Sequence, residues 1–106
     1  MVLLTKELKK ALPPLYSQDG KKPEDVKIVV KFFTPWTNWT WYATEGEYNE
    51  EEHTWLFFGL VRGQETELGY FTLAQLESVS GPVGLKIERD RHFSGHTLAE
   101  VKERPL

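Results

Sequence analysis

Hydrophobic spacing along this chain switches between a helical period and a strand period. After Thr5, "KELKKAL" sets Leu8, Ala11 and Leu12 on one stripe, with Thr5 as cap and Glu7 in the positive first turn. Pro13-Pro14 stop it, so a short helix is predicted over 6–12. "YSQDGKKPED" lacks any apolar period and collects Asp-Gly, Pro and charge, as a loop does. From Val26 the period is two: Val26, Ile28, Val30 and Phe32 alternate with Lys27, Val29, Lys31 and Phe33, which predicts one strand over 26–33 with a dry face and a mixed face. Thr34-Pro35 break it.

Three more strands follow. "NWTWYATE" sets Trp39, Trp41 and Ala43 against Thr40, Tyr42 and Thr44, "TWLFFGLV" is apolar nearly throughout, and "ELGYFT" is the fourth. Thr72 with Gln75, and Thr97 with Glu100, have the spacing of capping boxes, so "LAQLESV" and "LAEVKER" are predicted as short helices. Between them "SGPVG" is a turn and "LKIERD" a fifth strand. Short connections favour an antiparallel meander. The expected class is α+β: an antiparallel meander sheet of four to five strands with two to three short helices, in a single domain over 1–106.

Composition narrows the chemistry. No cysteine is present, which removes disulfides, thiolate nucleophiles and cysteine zinc sites. The start, "MVLLTKELKK", has no signal-peptide apolar region and no run reaches 18 apolar residues, so a soluble protein of the bacterial cytoplasm, away from any membrane, is expected. The net charge of −3 is segregated: residues 1–42 carry seven Lys against four acids, residues 78–106 are nearly balanced, and residues 43–77 hold eight Glu and only Arg62. An acidic middle repels phosphate backbones and attracts basic protein surfaces.

No nucleophile elbow, phosphate loop, dinucleotide motif or H-E-x-x-H occurs. His92 and His96 form H-x3-H, with Asp90 or His53 as a third ligand in an alternative reading as a small metal-dependent enzyme; Gly and Ser between them make surface histidines the plainer expectation, and no metal or cofactor is expected. A nucleic-acid-binding module on sheet aromatics is a third reading, disfavoured by the adjacent carboxylates. Trp39, Trp41, Trp55, Phe57 and Phe58 are expected in the core, whereas Trp36, off the strand period behind Pro35, suits a surface anchor.

The blocks "LLTKELKKALPPLYS", "VVKFFTP", "NWTWYATEGE" and "LFFGLVRGQETELGYFTLAQLESVSGPVGLKIERD" resemble, over almost the whole chain, a family of small uncharacterised bacterial proteins carried on plasmids and prophages. That family is similar to, or includes, a type II-A anti-CRISPR protein. This chain departs at "EGEYNEEEHT", shorter than the matching insertion in many members. The resemblance implies a non-enzymatic inhibitor whose partner is a type II RNA-guided nuclease, blocking DNA binding or cleavage without touching nucleic acid itself. Such a nuclease holds its nucleic acid in a positively charged channel. The candidate partner-binding residues are Trp36, Glu45, Glu47, Tyr48, Glu50, Glu51 and Glu52.

Overall fold

The computed structural model describes all 106 residues. Helix α1 spans Lys6–Ala11, and the Thr5 hydroxyl accepts the Leu8 amide at 3.2 Å, as the cap pattern requires. Strands β1 (Val30–Phe33), β2 (Thr40–Asn49), β3 (Thr54–Arg62) and β4 (Thr66–Thr72) form an antiparallel meander. Helix α2 (Leu73–Ser78) follows β4 at once, and the chain then crosses the sheet to β5 (Glu88–Arg89), which pairs with β1. Helix α3 (Leu98–Glu103) ends the order; the sheet runs β4-β3-β2-β1-β5. Both predicted capping boxes form, Thr72 with Gln75 and Thr97 with Glu100. The α+β class and the five-stranded sheet agree with the sequence pattern.

Two cores lie on opposite faces of this sheet. On the first, Leu3, Leu4 and Leu12 around α1 and Leu76 of α2 cover Val30, Phe32, Ala43, Phe57 and Phe71. On the second, Leu98 and Val101 of α3 cover Tyr42 and Leu60, joined by Val26 and Ile28. Tyr42 is fully buried and donates its hydroxyl hydrogen to the Leu106 carbonyl at 3.0 Å. Burial pushes its phenol pKa up, against the opposing pull of the Arg62 charge.

The structure corrects the alternation in two places. The predicted strand 26–33 is paired in the sheet only from Val30; Lys27 makes an isolated bridge to Thr97. Val26 and Ile28 therefore join one core and Val30 and Phe32 the other, although all four share parity. In β2 the register slips between Ala43 and Glu45, a bulge at which Thr44 turns its hydroxyl to the Phe58 carbonyl at 3.1 Å. Glu45 then sits opposite Phe58, on the face of Tyr42 and Leu60 rather than that of Trp41.

Gly59 faces the bulge. A Cβ there would lie 1.8 Å from the Tyr42 carbonyl oxygen, so only glycine lets the two backbones approach this closely.

Candidate functional site

The residues expected to meet a partner do not form one site. Trp36 lies in the β1–β2 connection, whereas Glu50, Glu51 and Glu52 lie in the β2–β3 turn. The ten residues of β2 separate these ends, a span of roughly 30 Å at strand rise. At the turn, Glu47, Tyr48, Glu50, Glu51 and Glu52 are exposed, and Asn49 Oδ1 orders the turn by accepting the Glu52 amide at 2.9 Å.

Glu45 departs most from its expected role. It is only 3% exposed, and its carboxylate accepts the Tyr16 amide at 2.8 Å and the Gln18 amide at 3.2 Å. Glu47 accepts the Leu15 amide at 2.9 Å, and the Gly46 amide donates to the Pro13 carbonyl at 3.0 Å. The loop after α1 thus lies along β2 where β1 has ended, and the two glutamates satisfy its amides. Charge on alternate residues beside a bulge serves here as a clasp for backbone N–H groups.

The tryptophans also exchange roles. Trp36 is half-buried: a Cβ on Gly81 would come within 2.4 Å of its indole, so the ring lies flat on that glycine. Trp39 is the exposed one, at 39% of its surface, lying over Gly63 and tilted against Trp41 with ring centres 5.8 Å apart. Trp41 and Trp55 are half-buried at the edge of the first core, and Phe57 is fully buried. Phe58 is half-buried and meets Tyr70 edge-on at 5.0 Å.

Trp41 and Trp39 border two adjoining concavities of the surface. A groove of about 340 Å³ lies over the outer strands of the first face, floored by Val61, Gly69 and Phe71 and walled by Trp41, Leu76 and Val79. A Cβ on Gly69 would meet nothing within 4 Å, so the groove is open above it. Val61 and Glu67 are shared with a second cleft lined by Trp39, Gln64 and Glu65. The site is an aromatic-walled apolar groove with two carboxylates on its lip, suited to hold an apolar side chain beside a cation. Both carboxylates are exposed. Strand alternation hid it; the one available signal was Gly69 inside a short apolar strand, a position where another chain can approach.

The only cation of the acidic segment points elsewhere: Arg62 donates to the carbonyls of Val101 and Lys102 at the end of α3. Lys31 pairs with Asp90 at 3.4 Å, and His96 Nδ1 lies 3.5 Å from the Glu100 carboxylate. None of the eight glutamates of residues 43–77 is therefore paired with a cation.

The histidine alternative finds no ligand set. Asp90 accepts the His92 amide and pairs with Lys31, His96 faces Glu100, and no three His, Asp or Glu side chains converge as metal ligands do. No helix is long and apolar enough to cross a membrane. No curated protein and no solved structure matches the chain. A family model described as a protein of unknown function, DUF2958, matches residues 3–101, and the chain belongs to that family.

Proposed function

We propose that this protein is a small non-enzymatic inhibitor that binds a basic protein surface, its target being a type II RNA-guided nuclease of the bacterial cytoplasm and its origin a plasmid or prophage. The observation that carries this is the unneutralised acidic segment: seven of its eight glutamates are exposed, and none has a cationic partner within the molecule. Charge left unpaired at this density favours encounter with a positive surface and speeds association at low salt. The sequence resemblance to the anti-CRISPR protein points to the same class of target. A nuclease channel built for phosphates supplies a complementary surface.

The test is DNA cleavage by a guide-loaded type II nuclease titrated with the protein. The variant to compare is Glu50→Lys, Glu51→Lys, Glu52→Lys, because these three make no structural contact through their side chains, whereas Glu45 and Glu47 hold the loop after α1. Loss of inhibition in the variant, with an unchanged melting temperature, supports the proposal. Full cleavage in the presence of the unaltered protein, across representative type II nucleases, refutes it.

A further inference from the structure

We propose that the outer edge of β4 is the docking site for an extended segment of the partner protein, which adds to the sheet as a further strand. Its arginine or lysine enters the cleft of Trp39, Glu65 and Glu67, and an apolar side chain fills the groove over Gly69. The proposal deepens the reading of the molecule as a binder of a basic protein, and does not depend on which protein that is.

Four features of β4 support strand addition. It pairs with β3 alone, through seven residues in unbroken register, so its other edge carries unpaired backbone groups. Exposed edges are ordinarily blunted by charged side chains, above all lysine, by proline or by a bulge; "TELGYFT" has no lysine, proline or bulge, and its one charge, Glu67, lines the clefts. Apolar surface flanks the edge on both faces: Leu68 and Tyr70 stand 43% and 53% exposed on the second face, and the groove lies on the first. The two concavities adjoin through Val61 and Glu67. Alternate side chains of one strand are spaced about 7 Å apart on the same face, so residues i and i+2 of an added strand reach both.

Charge selects the occupant. Glu65 and Glu67 have no ion-pair partner, and Trp39, partly exposed, lines the same cleft. A guanidinium or ammonium there gains from both carboxylates and from the indole. A second copy of this chain, pairing through its own β4, brings a strand with no cation to offer the cleft and is disfavoured. The recognition mode is β-strand addition, with affinity from the main chain and selectivity from alternate side chains.

The experiment titrates isotopically labelled full-length protein with a peptide of about nine residues alternating valine with arginine and threonine, long enough to span β4. Expected are saturable shifts of the Thr66–Thr72 amides and the Trp39 indole, with slowed amide exchange along the β4 edge. Replacing arginine by glutamate in the peptide should weaken binding at least about tenfold. A Cβ at Gly69 meets nothing within 4 Å, so Gly69→Val extends into the groove, and its melting temperature should match or exceed that of the unaltered protein while peptide affinity falls at least about tenfold. Shifts confined to the β2–β3 turn, full affinity in Gly69→Val, or no saturable binding overturns the proposal. A concentration-dependent dimer protecting the same amides assigns the edge to a second copy and likewise overturns it. Peptide capture at β4 without nuclease inhibition leaves this inference standing and refutes the proposed target. Conversely, inhibition that persists in Gly69→Val refutes the edge and keeps the target.

Discussion

Replacing Glu45 with alanine separates a clasp from a surface charge. As a surface charge its loss is worth within about 0.5 kcal/mol of nothing. In the structure its carboxylate is 3% exposed and accepts two backbone amides, from Tyr16 and Gln18, that have no other acceptor in the loop. A hydrogen bond to a charged group contributes about 1.5–3 kcal/mol. Both donors are only partly buried and regain some water when the loop lifts, so the lower end applies to each and the sum is about 3 kcal/mol. For a domain of this size that lowers Tm by roughly 15 °C. Glu45→Gln keeps one acceptor oxygen but turns an N–H₂ toward the second amide, and should fall about midway. Circular dichroism melts measure the shift, and hydrogen exchange at Tyr16 and Gln18 locates it: both amides should lose protection in Glu45→Ala while the β3 amides keep theirs at temperatures well below the melt. A Tm within about 4 °C of the unaltered protein, with both amides still protected, refutes the clasp.

Other perturbations have equally definite outcomes. Gly59→Ala places a Cβ against the Tyr42 carbonyl and should cost at least about 4 kcal/mol or prevent folding, read by denaturant unfolding. Gly81→Ala displaces the Trp36 indole, and tryptophan fluorescence should shift to longer wavelength without loss of the sheet signal. Glu100 accepts the Thr97 amide at 3.0 Å, a bond that, with His96 nearby, holds its carboxyl below the usual carboxylate value of 4.5. Because the folded pKa is depressed, the stabilisation is present above the ordinary value and is lost as pH falls through the lowered one. The Tm advantage over Glu100→Gln should therefore be full above the ordinary carboxylate value and shrink as pH falls below it; an advantage unchanged through that fall contradicts a charged cap.

Much of the fold was legible because local rules and tertiary structure agree. Thr5, Thr72 and Thr97 cap their helices through their own hydroxyls, a contact made within three residues and readable as spacing. The meander follows from period two and short turns. The site was less legible, since it depends on which strand is last in the sheet and which rings are covered. Trp39 and Trp36 differ in sequence by three positions, yet Gly81, 45 residues beyond Trp36, takes the latter's ring and leaves Trp39 the more exposed of the two.

The sequence by itself determined the α+β class, the helix starts and the segregation of charge, because each rests on neighbours in the chain. Tertiary structure alone decided that Glu45 is buried, that Trp36 and the turn glutamates stand at opposite ends of β2, and that β4 is left as an edge. The physical reason is the bulge at Thr44 together with the crossing of residues 73–87 over the first face. One extra residue reverses the side on which every later glutamate of β2 lies, and the crossing carries β5 to β1, away from the strand that most needs a partner.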